Sequence, residues 1–223
     1  MIGGLTLREI VMYLMAFLTA VTVHEYAHAR VALAAGDDTA KNQGRVSLNP
    51  LDHLDPLGTI MFIVTVLSGF GIAWGKPVPI NPYNFRSPRW DPLKVSIAGP
   101  ASNIIMAGLL TLALKFFINP NVPALSELLV ICIIFNVGLA VFNMLPVPPL
   151  DGSKVLSSLM PVQTARRYEY VMAKYGLLIL LGLLMLRIPG HGSLISAVII
   201  PPIRTITGFL VNFALGGPSI TTA

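Results

Sequence analysis

His24-Glu25-Tyr26-Ala27-His28 lies inside an apolar run, with Leu14-Met15-Ala16-Phe17-Leu18 before it and Ala32-Leu33-Ala34-Ala35 after it. An α-helix turns once per 3.6 residues, so histidines four apart project from one face and can share one Zn²⁺. Glu25 stands beside them, where a carboxylate can take a proton from metal-bound water. Ionisable groups at such depth are costly unless they are paired, so the pentad marks a functional centre.

The composition agrees with a membrane address. Hydrophobic residues make up 54% of the 223 and charged residues 11%, whereas a soluble domain carries about 25% charged. A hydrocarbon slab of about 30 Å needs roughly 20 apolar residues per helix. The candidates are Leu7–Leu33, Leu57–Ile72, Lys94–Ile118, Ala124–Leu145, Tyr170–Ile188 and Leu194–Leu215. The first is too long, and lacks the small-residue cleavage site, for a removable signal peptide. Pro201-Pro202 interrupts the last, which is expected to be kinked, interfacial or re-entrant. The single cysteine, Cys132, excludes an intrachain disulfide.

Net charge is +5, and its placement reports topology. Most lysines and arginines fall in or beside residues 34–56, 74–93 and 146–169, which places those loops together on the cytoplasmic side. Arg8, Lys115 and Arg187 mark the opposite helix ends. No basic and aromatic stretch suggests a nucleic-acid surface. If Leu57–Ile72 crossed fully, the first two basic loops would face opposite compartments. Residues 57–74 are therefore expected to enter the membrane and return through the glycine-bearing stretch 68–75, and non-helical backbone at that depth needs burial or a wet cavity. The chain leaving Ala124–Leu145 then emerges on the side where the pentad helix ends.

What emerges is Asn143-Met144-Leu145-Pro146-Val147-Pro148-Pro149-Leu150-Asp151-Gly152. A catalytic zinc held by two histidines lacks a third protein ligand, its fourth position staying open. Asp151 is the only acidic residue between Glu127 and Glu169. It is either that ligand or a cap on the following helix, where aspartate is common.

The pentad together with Asn143-x-x-Pro146-x-x-x-Leu150-Asp151-Gly152 resembles the site-2 protease family of intramembrane zinc metalloproteases. Three further segments match in family order: 45–50 with 53–59, 75–82, and Ala98-Gly99-Pro100-Ala101-Ser102-Asn103. The resemblance implies that His24, His28 and Asp151 hold Zn²⁺ and that Glu25 is the catalytic glutamate. It places Asn143 and Asn103 on helices flanking the site. Both are candidate substrate-binding donors to an oxyanion, or else interhelical hydrogen-bonding residues. His53 reads as ordering a polar turn, and His191 carries no assigned role.

The resemblance implies a hydrolase that cuts membrane proteins in or near transmembrane segments, as in regulated intramembrane proteolysis. Its expected partners are the lipid bilayer and single-span substrates such as anti-sigma factors or remnant signal peptides. The expected location is a prokaryotic cell membrane, with the site towards the cytoplasm. A zinc-binding scaffold or a transporter is the competing class. The expected fold is one all-α integral membrane domain over 1–223, with five or six transmembrane or re-entrant apolar segments. Its motif-bearing core covers about 7–160 and its C-terminal membrane segments about 165–215. A small β element is expected at the cytoplasmic face. Residues 74–94 leave no room for the PDZ domain of larger relatives, and the chain reads as a minimal core. Extended segments 43–49 and 77–81 are expected to form the sheet and receive an unwound substrate.

Overall fold

The computed structural model describes residues 5–68, 71, 73–117, 122–188 and 192–216. It is an all-α bundle. The helices are α1 (Leu7–Ala34), α2 (Thr39–Asn42), α3 (Pro56–Ser68), α4 (Trp90–Phe117), α5 (Pro123–Asn143), α6 (Asp151–Leu159), α7 (Val162–Met185) and α8 (Leu194–Leu215). Five of them, α1, α4, α5, α7 and α8, are long and apolar enough to cross a membrane, and α3 is a shorter apolar helix. The chain is a multi-pass membrane protein. α1 starts cleanly because Thr6 and Glu9 form a reciprocal capping box, each bonding the other's backbone N–H.

Side-chain contacts fix the direction of each long helix. Arg8 pairs with Glu127, joining the start of α1 to the start of α5. Lys115 lies 3.9 Å from the centre of the Phe213 ring, joining the end of α4 to the end of α8. Leu114, Ile133, Val137 and Ala214 form a buried cluster between those helices. Consequently the end of α1, the start of α4, the end of α5 and the start of α8 lie together at the other end of the bundle. α8 is continuous through Pro201-Pro202.

The expected re-entrant path is visible in the described residues. A Cβ on Gly58, near the start of α3, would lie 2.1 Å from the Trp74 carbonyl oxygen, and one on Gly71 would lie 2.4 Å from Thr65 Oγ1. Gly71 thus lies beside Thr65 near the end of α3 and Trp74 beside Gly58 near its start, and Lys76 N–H bonds the His53 carbonyl at 2.8 Å. The chain returns to the side from which it entered. Gly69, Phe70 and Ile72 of that stretch lie outside the described residues.

Two expectations about the C-terminal part are corrected. The helix read as Tyr170–Ile188 does not carry the chain to the opposite end. Tyr168 Oη donates to the Pro146 carbonyl at 2.7 Å, and Leu180 packs with Val147, Leu150 and Ile195. Leu184, at the end of α7, meets Phe142 and Ile199 in the same cluster. α7 therefore lies against the end of α5, held there by the proline turn at 146–149. Arg187 follows and lines a cavity with Phe142, Leu184 and Ser193, so it does not mark the opposite helix end. His191 lies outside the described residues.

The small β element is a hairpin between α7 and α8, with β1 (Arg187–Ile188) antiparallel to β2 (Gly192–Ser193). Segments 43–49 and 77–81 form no ladder among the described residues. Proline at 77 and 79 removes two donors from that edge, and Arg45 takes the carbonyls of Lys76 and Pro77 instead.

The loop after α1 is tied to the loop before α4 by one buried carboxylate. Asp37 accepts from the backbone and hydroxyl of Thr39, the Asn81 N–H and Asn84 Nδ2. Burial alone would raise its pKa, but these bonds outweigh it and hold the carboxyl below the ordinary range. A lowered folded-state pKa means the stability is present above the unfolded value of about 3.9, and is lost as pH falls through the folded value. Asp37→Ala is expected to lower unfolding stability by about 1–3 kcal/mol, since it strands partly buried donors. Denaturant melts in detergent at neutral pH check this, and a change below about 0.5 kcal/mol, the usual surface effect, would contradict it.

Candidate metal centre

α1 presents His24 and His28 one turn apart, with ring centroids 4.6 Å apart at 80°. Both are buried. The chain leaving α5 turns through the cis Pro148-Pro149 bond and delivers Asp151 to them as the first residue of α6. A Cβ on Gly152 would lie 2.3 Å from the Met144 carbonyl oxygen, so only glycine lets this turn close behind Asp151. Asp151 Oδ2 lies 3.1 Å from His24 Nε2 and 3.2 Å from His28 Nε2. The two Nε2 atoms are 3.0 Å apart. Asp151 is no cap: the N-cap position falls on Leu150, and no side-chain cap bond forms.

The hydrogen bonds behind the rings decide what the three atoms can hold. His28 Nδ1 faces the Val95 carbonyl at 2.7 Å, and a carbonyl only accepts. Nδ1 therefore carries the proton, and Nε2 of the neutral ring is a lone pair. His24 reaches the same state through two asparagines. Asn136 Nδ2 donates to the Cys132 carbonyl, which leaves Asn136 Oδ1 to accept from Asn103 Nδ2 at 2.9 Å. Asn103 Nδ2 also donates to the Ala20 carbonyl, so its Oδ1 faces His24 Nδ1 at 2.7 Å and accepts from it. Two ring lone pairs and a carboxylate oxygen thus converge on one point.

Such convergence is repulsive without a cation between the three atoms. A tetrahedral zinc with bonds of about 2.0–2.1 Å separates its ligands by roughly 3.3–3.4 Å, close to the spacings seen. His24, His28 and Asp151 therefore fit a metal ion by donor chemistry and by geometry.

Space for the ion depends on α4. A Cβ on Gly99 would lie 2.3 Å from His28 Nε2 and 2.7 Å from His24 Nε2. Ser102 Oγ has one proton, shared between the Gly99 carbonyl of its own helix at 2.7 Å and the Val23 carbonyl of α1 at 3.3 Å, which places α4 close against α1. Small residues at a helix interface permit this approach.

Glu25 sits beside the cluster and accepts from the Val78 N–H at Oε2, 2.9 Å away. The two asparagines separate. Asn103 is fully buried with its oxygen and both amide hydrogens committed, so it orients His24 and has no donor left for a substrate. Asn143 is half-buried at the end of α5, with one recorded bond, to the Leu139 carbonyl at 3.1 Å. Its second N–H has no partner among the described residues. His53 is fully buried and donates from Nε2 to the Ser47 carbonyl at 2.7 Å, ordering its turn. The sequence reading gave no role to Asn136 or Gly99. An amide inside an apolar helix, two turns before Asn143, is the signal that points to Asn136.

Below the cluster an apolar cavity of about 690 Å³ opens. It is lined by Ala20 and Val21 of α1, Phe62 and Val66 of α3, and Leu139 and Phe142 of α5, with Arg187 and Ser193 at the hairpin. Val21 is one helical turn from His24 and Glu25.

Residues 119–183 match the family model described as Peptidase family M50. The chain is similar to the Bacillus subtilis (strain 168) protein named "Putative zinc metalloprotease YwhC", 46% identical over 63% of this chain and 65% of that one. It is also similar to "Putative zinc metalloprotease Rip2" of Mycolicibacterium smegmatis, 28% identical over 67% of this chain and 58% of that one. "Putative zinc metalloprotease Rip2" of Mycobacterium tuberculosis is 29% identical over 70% and 60%. The chain thus spans less than two thirds of the length of the relatives it matches. No solved structure matches it.

Two substitutions test the centre. Asp151→Ala is expected to lose most of the metal that purified wild type holds, measured by elemental analysis in detergent. Gly99→Ala is expected to do the same by displacing both rings. Full metal retention in either variant would contradict the assigned ligands or the role of the α4 contact. With the pentad, the Asp-Gly turn and the glycine that makes room between them all in place, the chain matches the model of peptidase family M50 over residues 119–183 and is similar to proteins named as zinc metalloproteases, in line with the site-2 protease family that its motifs resemble.

Proposed function

We propose that this protein is an intramembrane zinc metalloprotease that hydrolyses peptide bonds in or near the transmembrane segments of membrane proteins. The observation that carries the reading is the convergence of His24 Nε2, His28 Nε2 and Asp151 Oδ2 with Glu25 adjacent, all inside an apolar bundle. A bound zinc ion supplies Lewis-acid polarisation of an oxygen ligand. The remaining chemistry belongs to side chains of this chain.

Glu25 has Oε2 occupied by the Val78 N–H, which leaves Oε1 to take a proton from the attacking water. The same carboxyl then delivers that proton to the leaving amine nitrogen, so the carboxylate is regenerated. Asn143 is the candidate donor to the oxyanion, because its second amide hydrogen is uncommitted and Asn103 has none to give. The apolar cavity below Glu25 suits the side chains of a membrane segment, and its volume lies within the range of about 300–1,000 Å³ usual for ligand sites. Single-span proteins, including anti-sigma factors and remnant signal peptides, are the proposed substrates.

The grouping of the basic loops at the metal end supports a cytoplasmic orientation of the site in a prokaryotic cell membrane. Glu25→Gln is expected to keep its metal and to lose cleavage of a reconstituted single-span substrate by about 10²–10⁴-fold, the usual contribution of a general base. Undiminished cleavage by the glutamine variant would contradict this role. A metal-loaded wild type that cleaves no membrane segment would overturn the protease reading.

A further inference from the structure

The stretch Lys76-Pro77-Val78-Pro79 is an extended strap across the end of α1, and its hydrogen bonds are unusual in their economy. Proline at 77 and 79 leaves Val78 with the one backbone N–H among those three residues, and that N–H goes to Glu25 Oε2 at 2.9 Å. The strap is held from behind by Arg45. This side chain is buried, and no carboxylate pairs with it among the described residues. Its guanidinium instead donates to the Lys76 carbonyl at 2.6 Å and the Pro77 carbonyl at 3.3 Å. Lys76 N–H bonds the His53 carbonyl at 2.8 Å, and the Val78 side chain is buried with Ala29 and Ala40.

A buried cation without an ionic partner is costly, and an arginine kept on two carbonyls needs a reason beyond stability. The planar fork of a guanidinium fixes two acceptors in relation to each other, which an ammonium cannot do. Here one acceptor, the Pro77 carbonyl, belongs to the same peptide unit as the Val78 N–H, and the other, the Lys76 carbonyl, to the unit before it. We infer that Arg45 is a positioning residue for the general base: it sets the strap, the strap sets the Val78 N–H, and that N–H holds the Glu25 carboxylate in register with the metal ligands. The bonds to Lys76 and Pro77 before Val78, and that of the Asn81 N–H to Asp37 beyond it, make the strap a rigid support, so it is not a plug that must leave before substrate binds. The inference rests on the protease reading for its catalytic consequence, while the hydrogen bond itself is testable without activity.

The experiment compares full-length, metal-loaded Val78→Pro, Val78→Ala, Arg45→Ala and Arg45→Lys with wild type on a reconstituted single-span substrate. Val78→Pro deletes the N–H and keeps an extended backbone, whereas Val78→Ala keeps the N–H and trims the side chain. Val78→Pro and Arg45→Ala should lose kcat by about 10²-fold, the penalty of a displaced catalytic group, with KM and metal content kept. The loss in Val78→Ala should be at least tenfold smaller, with Arg45→Lys between the two. Amide exchange of valine-labelled protein gives the second readout. The Val78 N–H should be protected in wild type and should lose protection in both Glu25→Ala and Arg45→Ala. Equal kcat losses in Val78→Pro and Val78→Ala, or a Val78 amide that exchanges freely in wild type, would overturn the inference. Inactive wild type with a Val78 amide protected through Glu25 and Arg45 would sink the protease reading and leave the strap's positioning of Glu25 standing.

Discussion

Two imidazole lone pairs and a carboxylate oxygen are pointed at one another inside an apolar bundle, and much of the structure exists to keep them so. Each atom would turn away to find a donor if its ring or side chain were free. His28 is held by a backbone carbonyl of α4, and His24 by an amide relay that runs from α5 through Asn136 and Asn103. The relay ends on the Cys132 carbonyl, which can only accept, so every proton along it has one possible place. Interhelical hydrogen bonds in membranes contribute only about 0.6 kcal/mol on average. The asparagines therefore matter more for fixing which ring nitrogen carries the proton than for holding the helices together. Supporting residues behind metal ligands commonly act in this way.

The same requirement explains the bundle's connections. Asp151 can reach α1 only if α5 returns the chain to the end where α1 stops, and the re-entrant α3 segment makes the number of crossings come out correctly. The glycine at 99 and the small residues around it let α4 approach closely enough to serve both rings. α7 and the β-hairpin then lie beside the cavity that Ala20 and Val21 line, one helical turn before His24 and Glu25.

Much of this was legible in the residues. The pentad, the Asp-Gly turn and the parity of the basic loops pointed to three groups that the fold brings within 3.2 Å of one another. The re-entrant leg was legible because charge placement left no other path. α7 was misread because its second half, Gly176–Met185, is apolar enough to suggest a crossing, whereas what decides its path is packing against residues 146–150. The sheet expected from 43–49 and 77–81 was misplaced because extended character in a sequence does not reveal where backbone donors go. There they go to Glu25, while Arg45 occupies the carbonyls. Asn103 was read as a substrate donor because spacing shows that an amide faces a site, and not which of its hydrogens are already spent. Arg45 was counted only as a positive charge, since nothing local in the sequence distinguishes a solvated arginine from a buried one.

The central claim is that one metal ion sits between His24, His28 and Asp151. X-ray absorption at the zinc edge of purified, metal-loaded protein tests it most directly. The structure calls for a first shell of nitrogen and oxygen at about 2.0–2.1 Å, with the outer-shell pattern of two imidazoles. A sulfur contribution at about 2.3 Å, or the pattern of a single imidazole, would contradict the assignment.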